Sequence, residues 1–138
     1  MVATVDSIRA IPLFRGSSDR SIEIISGIVR EARYPAGATL TREGETGDSL
    51  IILQSGSATV EQAGRTIRQL GPGDFLGEIA LIDGRPRTAT VTATEPIEAF
   101  VIDRAGFTEL MDEFPVIRYD LVSALTDRLR ERGPALSD

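Results

Sequence analysis

The sequence lacks five residue types altogether: cysteine, histidine, lysine, tryptophan and asparagine. Without cysteine or histidine, the chain has no thiolate nucleophile, no serine–histidine triad and no ordinary site for zinc, copper or haem. Without lysine, it has neither a P-loop lysine nor a group for Schiff-base chemistry. Catalysis by carboxylates alone stays open, as does magnesium or calcium held by oxygen ligands. The composition therefore favours a protein that is not an enzyme and holds no metal.

Long apolar stretches are also absent. No run approaches the roughly 18 to 20 residues that a membrane-spanning helix needs, and the segment from Met1 to Asp6 lacks the basic and apolar parts of a signal peptide. The formal net charge of −6 should repel nucleic acid and anionic membrane surfaces. We therefore expect a cytoplasmic protein that neither binds nucleic acid nor inserts into a membrane. Any anionic ligand must be held by local donors.

A chain of 138 residues is long enough for one domain whose core needs no metal or disulfide, and we predict a single domain over 1–138. Its N-terminal region, 1–32, is predicted to be helical. Ser17, Ser18 and Asp19 offer groups that can cap a helix, and the apolar residues that follow fall on one helical face. These apolar residues are Ile22, Ile24, Ile25, Ile28 and Val29.

Between residues 33 and 104, short runs rich in Thr, Ile, Val and Leu are interrupted by glycine. Such spacing is typical of a sandwich or barrel of antiparallel strands. We expect Ser55-Gly56 and Ala63-Gly64 to form hairpin turns, because each supplies a residue that can take positive φ. The clearest predicted strands are Ser49 to Gln54, Ala58 to Gln62, Thr66 to Leu70, Thr88 to Ala93 and Ile97 to Ile102.

The C-terminal region, 105–133, returns to a helical pattern. Asp103 can cap a first short helix, and Pro115 suits the first turn of a second helix that Gly133-Pro134 ends. The apolar positions of the two helices are Phe107, Leu110, Met111, Phe114, Ile117, Leu121, Ala124, Leu125 and Leu129. The order of these regions predicts a mainly β domain with flanking helices.

The stretch from Phe75 to Thr90 has the features of an anion site. A helix that begins near Gly77 would point unpaired backbone N–H groups, those of Ile79 and Ala80 among them, at an anion. Glycine at position 77 also lets a ligand or a neighbouring backbone come close.

Two charged side chains accompany this predicted helix. Arg87 can offer a planar fork to two phosphate oxygens, although spacing alone does not separate it from Arg85, which could share its strand face. Glu78 is either an ordinary first-turn glutamate stabilised by the helix dipole or an acceptor for hydroxyl groups. A carboxylate beside a phosphate is repulsive unless it faces such hydroxyls. The combination indicates a site for a sugar phosphate.

The same stretch carries a resemblance to a known family. Residues 75–81 read Phe-Leu-Gly-Glu-Ile-Ala-Leu, and residues 85–91 read Arg-Pro-Arg-Thr-Ala-Thr-Val. Together they closely resemble the phosphate-binding cassette of cyclic nucleotide-binding domains, which occur in bacterial cAMP receptor proteins, cyclic-nucleotide-dependent protein kinases and cyclic-nucleotide-gated channels. The resemblance covers roughly Ile11 to Phe114. Further turns similar to those of the family lie at Tyr34 to Gly37, Arg42 to Glu45, Gly47 to Ser49, Gln54 to Gly56 and Leu70 to Asp74.

The resemblance implies an eight-stranded, jelly-roll-like antiparallel β-roll over 33–104, with the cassette at 75–90. It also implies a role for each matching residue. Arg87 would bind the cyclic phosphate together with backbone amides near Ala80 and Ala89, and Glu78 would accept from the ribose 2′-hydroxyl beside Gly77. Thr88 stands where family members carry Ala, Ser or Thr, and its hydroxyl could reach the purine. The implied ligand-binding residues are Leu76, Gly77, Glu78, Ile79, Ala80, Arg87, Thr88 and Ala89.

The implied ligand is cAMP, with cGMP left open by the hydroxyl of Thr88, and no metal is implied. The family closes its pocket with the helix after the roll, which makes Leu121, Leu125 and Arg128 candidates for covering the base. Otherwise the two leucines would be core or dimer-seam residues and Arg128 would lie on a solvated face. We therefore expect a sensor that moves its C-terminal helices and acts through a protein partner or through a homodimer formed by the C-terminal helix.

Two other functions compete with this interpretation. An interaction module could keep the fold without the ligand, but the intact Gly77, Glu78 and Arg87 argue against a degenerate pocket. A cupin-like barrel enzyme would need a metal cage that a chain without histidine cannot readily build.

Overall fold

The computed structural model describes residues 5–11, 14, 17–77, 86–119 and 123. The described strands are β1 (Arg30–Tyr34), β2 (Thr39–Thr41), β3 (Ser49–Ser55), β4 (Ala58–Gln62), β5 (Arg65–Leu70), β6 (Phe75–Leu76), β7 (Thr90–Ala93) and β8 (Ile97–Asp103). The described helices are α1 (Val5–Arg9), α2 (Asp19–Ile28) and α3 (Arg104–Glu113). The strands form two antiparallel sheets of four, in the orders β1-β8-β3-β6 and β2-β7-β4-β5. The predicted eight-stranded β-roll with flanking helices is confirmed.

The two central strands of the first sheet, β8 and β3, are buried on both faces. In β3, Ile51 and Leu53 pack against residues of the second sheet, whereas Leu50 and Ile52 pack against the helices. Successive side chains of a strand point to opposite faces, so a strand covered on both sides reads as a continuous apolar run. The core therefore has two layers, one between the sheets and one under the helices.

Helix α2 begins where the sequence predicts. The hydroxyl oxygen of Ser18 accepts a hydrogen bond from the backbone N–H of Ser21 at 3.1 Å and caps the helix. Ile22 and Ile25 are fully buried, but Ile24, which was predicted on the same face, is 39% exposed. That prediction was wrong because two residues along a helix turn the side chain through roughly 200°. The buried face of α2 is accordingly narrower than the apolar sequence suggests.

The two predicted hairpin turns differ. Ala63 and Gly64 have φ values of 52° and 79° and join the paired strands β4 and β5, so this hairpin is confirmed. Ser55-Gly56 is not a hairpin turn, because β3 and β4 belong to different sheets. Gly56 has a φ of 90°, and a Cβ there would collide with the carbonyl oxygen of Pro96. Both turns contain a glycine that takes positive φ. A glycine in the sequence therefore does not distinguish a hairpin from a connection between the two sheets.

Helix α3 follows β8 directly. The Asp103 carboxylate accepts a hydrogen bond from the backbone N–H of Gly106 at 2.7 Å, so the predicted cap is confirmed. Phe107 and Leu110 are buried against the first sheet, and residues 115–119 are helical again. Among the described residues, no helix is both long and apolar enough to cross a membrane.

Candidate functional site

Two described segments bound the candidate site. Strand β6 leads to Gly77 on one side, and residues 86–90 run into β7 on the other. The connecting segment, 78–85, lies outside the described residues. The predicted ligand contacts that lie outside the described residues are Glu78, Ile79, Ala80, Leu121, Leu125 and Arg128.

Gly77 lies against the guanidinium group that the sequence assigns to phosphate. Its φ is 95°, a conformation that favours glycine. A Cβ at this position would collide with the Nη1 atom of Arg87 and with the carbonyl oxygen of Ser49. Glycine is therefore required here both by the backbone conformation and by the space that Arg87 fills.

Arg87 is fixed through its side chain and its main chain. Its Nη2 atom donates a hydrogen bond to the carbonyl oxygen of Ser49, the first residue of β3, at 3.0 Å. Its backbone N–H donates to the carbonyl oxygen of Glu45, and its own carbonyl oxygen accepts from the N–H of Gly44, both at 2.8 Å. The loop between β2 and β3 thus fixes the backbone position of this half-buried arginine.

The residues after Arg87 are held by side chains from neighbouring strands. The carbonyl oxygen of Thr88, which is half-buried, accepts from Gln62 Nε2 at 3.1 Å. The carbonyl oxygen of Ala89 accepts from Thr41 Oγ1 at 3.3 Å. Sequence reasoning missed Thr41 and Gln62, because nothing in a single sequence relates a residue on one strand to a carbonyl on another.

Leu76 and Ala89 have packing roles in the structure. Their exposed fractions are 1% and 2%, and both belong to the core layer between the sheets. Their side chains therefore anchor the two ends of the candidate site, and a contribution to ligand binding would come from their main chain.

The site is connected to α3 through the start of β3. Ser49 is the register partner of Asp103, the residue that caps α3. Arg104, the first residue of α3, donates from Nη2 to the carbonyl oxygen of Gly47 at 3.1 Å. The backbone that supports Arg87 is thus the backbone that supports the beginning of the helix.

Tyr34 is a titratable residue with a shifted pKa that lies outside the candidate site. Burial raises the pKa of the Tyr34 phenol above its ordinary value of 10.0, and the neighbouring positive charge of Arg30 opposes that shift. Tyr34 lines a separate surface depression of about 440 Å³ together with Ser55 and Ile97. In the part of the chain that the structure describes, no three acidic side chains come close enough to hold a metal ion.

Comparison with known proteins identifies the family. The family model of the cyclic nucleotide-binding domain matches residues 31–114. That interval runs from β1 through α3 and includes both segments that bound the site. The chain belongs to the cyclic nucleotide-binding domain family, as the motifs predicted.

Several relatives share this region. The cyclic AMP receptor protein of Thermus thermophilus is 29% identical over 125 residues, which are 87% of this chain and 58% of the receptor. A cGMP-dependent protein kinase of Caenorhabditis briggsae is 31% identical over 123 residues, 84% of this chain and 16% of the kinase. The crystallised regulatory domain of Toxoplasma gondii PKA with cAMP has a TM-score of 0.76 and 26% identity, covering 90% of this chain and 48% of that one. This chain thus spans little more than half of the receptor and less of the other two.

Proposed function

We propose that this chain is a regulatory sensor that binds a cyclic nucleotide at residues 75–90 and prefers cAMP to cGMP. The observation that carries the proposal is the setting of Arg87, whose guanidinium is braced by the Ser49 carbonyl and fitted against Gly77. An arginine held by its main chain and its side chain is preorganised for an anion, so little conformational entropy is lost on binding.

The phosphate and the sugar are recognised from opposite sides. Arg87 offers its planar fork to the cyclic phosphate, and the backbone amides near Ala80 and Ala89 complete the phosphate contacts. Glu78 accepts from the ribose 2′-hydroxyl beside Gly77, and Ile79 contributes through its main chain. This division explains how a carboxylate can stand next to a phosphate site in a chain with a net charge of −6.

The base is recognised by Thr88 and by the C-terminal helix. The Thr88 hydroxyl can donate to or accept from a purine edge, and Leu121, Leu125 and Arg128 are the candidates for covering the base. The preference for cAMP is supported by similarity to the cAMP receptor of Thermus thermophilus and the cAMP-bound Toxoplasma gondii PKA domain. Similarity to a cGMP-dependent kinase supports cGMP as a second possible ligand.

Binding is coupled to the helices through β3. A ligand that binds the Arg87 guanidinium changes the hydrogen bond between that guanidinium and the Ser49 carbonyl oxygen. Ser49 is in turn the register partner of Asp103, the residue that caps α3. Helix α3 in turn packs against α2. Gly106 of α3 lies so close to Ile28 of α2 that a Cβ added at Gly106 would be 2.7 Å from an Ile28 methyl carbon. Ligand that binds one helix arrangement more tightly shifts the population toward it by that difference in free energy.

The output is a protein partner or a homodimer formed through the C-terminal helix. Val116 and Tyr119, which leave 71% and 72% of their surface exposed in the helical residues 115–119, would be accessible to such a partner. The chain itself carries no catalytic role in this proposal, and a cytoplasmic location remains a prediction.

Calorimetric titration with cAMP and with cGMP tests the proposed function. We expect saturable binding of both, with cAMP the tighter ligand. The absence of heat with either nucleotide at high micromolar concentration would contradict the proposal and favour a ligand-free interaction module on the same fold. A tighter complex with cGMP would overturn only the preference.

A further inference from the structure

The β2–β3 loop, residues 42–48, holds the main chain of Arg87. The Arg87 N–H donates to the carbonyl oxygen of Glu45, and the N–H of Gly44 donates to the Arg87 carbonyl oxygen, both at 2.8 Å. In the same loop, the N–H of Glu43 donates to the hydroxyl of the first residue of β7 at 3.0 Å. The contact between β2 and β7 thus extends past the paired strands as far as Arg87.

The Glu43 side chain ties this loop to another part of the roll. Its carboxylate accepts a hydrogen bond from the backbone N–H of Ala63, the first turn residue of the β4–β5 hairpin, at 3.0 Å. Residues 42–46 are exposed, and the ion pair between Arg42 and Glu45 lies within the loop and does not link it to the hairpin. The loop that supports Arg87 is therefore braced at the tip of the hairpin.

Ala63 has an unusual backbone conformation. Its φ of 52° lies in the left-handed region, and among the residues that the structure describes it is the one residue other than glycine with a positive φ. That conformation is unfavourable for a residue with a side chain, and such outliers persist where the surrounding structure holds them. The Glu43 carboxylate provides one such contact, because it binds the Ala63 N–H. Glu43 thus connects a strained turn to the loop that holds Arg87.

We propose that Glu43 is a positioning residue, which fixes Arg87 for the cyclic phosphate by bracing the β2–β3 loop against the β4–β5 hairpin. The inference rests on the proposed function, in which the Arg87 guanidinium binds the phosphate. In this role Glu43 acts through Arg87 and not through a contact with the ligand. Because cAMP and cGMP share the phosphate, loss of the brace weakens both ligands alike and leaves the ratio of their affinities unchanged.

The charge of Glu43 and its hydrogen bond act on an anionic ligand in opposite directions. Removing a carboxylate near a phosphate site lessens electrostatic repulsion and by itself favours binding. Removing the acceptor for the Ala63 N–H loosens the loop and weakens binding. Two variants of similar length separate these effects: Glu43→Gln removes the charge and keeps an oxygen acceptor, whereas Glu43→Met removes both.

Calorimetry with cAMP and with cGMP compares the two variants. A hydrogen bond typically changes an equilibrium constant by a factor of about two to ten, so Glu43→Met should bind each nucleotide about two- to tenfold more weakly than Glu43→Gln. Glu61→Ala is the control for the charge, because it removes a carboxylate from the same hairpin, within β4, and should weaken neither ligand. Equal affinities in the Gln and Met variants, or a loss confined to one nucleotide, would overturn the proposal.

Hydrogen exchange of the ligand-free protein keeps this test distinct from that of the proposed function. The amides of Gly44 and Arg87 join the loop to the arginine, and both should exchange faster in Glu43→Met than in Glu43→Gln, in Glu61→Ala or in the unaltered chain. Equal exchange in all four proteins, or faster exchange throughout the roll, would overturn the positioning role.

Failure of the unaltered chain to bind either nucleotide has a different meaning. It would overturn the proposed function, and with it the effect of Glu43 on binding. The exchange of the Gly44 and Arg87 amides would still decide whether Glu43 holds the loop in place.

Discussion

The Nη1 atom of Arg87 fills the space that a Cβ on Gly77 would need. In sequence, the two residues lie near opposite ends of the cassette, because Gly77 follows β6 and Arg87 precedes β7. Each therefore restricts the other: the arginine can take its position only beside a residue without a side chain. The carbonyl oxygen of Ser49 completes this arrangement by accepting from the same guanidinium at 3.0 Å.

Replacing Gly77 by alanine should therefore destabilise the fold more than the same change at another positive-φ glycine. Gly64→Ala is the control, because its φ is 79° and nothing lies within 4 Å of an added Cβ. The control should cost roughly 1 to 2 kcal/mol of unfolding free energy for the left-handed conformation, and Gly77→Ala about 1 to 3 kcal/mol more for the collision. Denaturant unfolding measures both, and equal losses would contradict the close packing of Gly77 on Arg87.

Removing the Arg87 side chain should weaken binding far more than removing its neighbour. Arg87→Ala leaves a buried phosphate without its cation, and we expect a loss of about 2 to 5 kcal/mol of binding free energy. Arg85→Ala should cost under about 1 kcal/mol, as for a charge at the rim of the site. Calorimetry of both variants checks the difference, with thermal unfolding as the test of folding. Similar losses in the two variants would mean that the phosphate role is wrongly assigned.

The Thr88 hydroxyl should affect cGMP more than cAMP. A hydroxyl can accept from the exocyclic amino group of guanine, and its loss typically costs about 0.5 to 1.5 kcal/mol. Thr88→Ala should therefore reduce cGMP affinity by that amount and leave cAMP affinity nearly unchanged, whereas Thr88→Ser should retain both. Competition binding with the two nucleotides measures the change. If cGMP affinity does not move, Thr88 has no role at the base.

Loss of the α3 cap should be visible in the stability of the domain. Asp103→Ala removes the acceptor for the Gly106 N–H and should lower the unfolding free energy by about 1 kcal/mol. Asp103→Asn should retain most of the capping. Asp112→Ala changes an exposed aspartate near the end of the same helix, where a negative charge is unfavourable for the helix dipole, and should be neutral or slightly stabilising. A loss as large at Asp112 as at Asp103 would argue against specific capping.

Tyr34 should make the stability of the fold depend on alkaline pH. Burial raises its pKa in the folded state above the ordinary 10.0, so the unfolded chain releases the phenolic proton first. The stabilisation is fully present below pH about 10 and is lost as the pH rises through the folded pKa. Tyr34→Phe should remove this part of the alkaline loss.

The pKa of Tyr34 itself can be measured by absorbance. The chain has two tyrosines and no tryptophan, so Tyr119→Phe leaves Tyr34 as the only phenol to titrate. A midpoint at or below the ordinary value would contradict the shift.

The strands that the sequence predicts are those with their own apolar pattern. β3, β4, β5, β7 and β8 all follow predicted runs, whereas no separate strand was predicted at β1, β2 or β6. These three lie at sheet edges, where β1 is rich in charge and β6 has two residues. Their strand conformation depends on distant partners, β8, β7 and β3, and local sequence carries little of that information.

The candidate site likewise contains residues that the sequence identifies and residues that only the structure reveals. The motif identifies Gly77 and Arg87 because chemistry restricts the residue types at those positions. It does not identify Gln62, whose hydrogen bond to Thr88 spans 26 residues, or Thr41, whose bond to Ala89 spans 48. Many residue types could stand at either position in a different roll, so these contacts become visible only when the strands are assembled.

The pairing of β1 with β8 has a consequence for how the chain is made. Arg30 lies opposite Val101, and β8 is inserted between β1 and β3 in its sheet. During synthesis β1 therefore leaves the ribosome long before the strand that pairs with it, and non-local pairing of this kind slows folding. Until β8 follows, β1 and β3 both carry exposed pairing edges that favour association with other chains. Among the described strands of the first sheet, β8 is thus the last to be translated, and its arrival completes the pairing of β1 and β3.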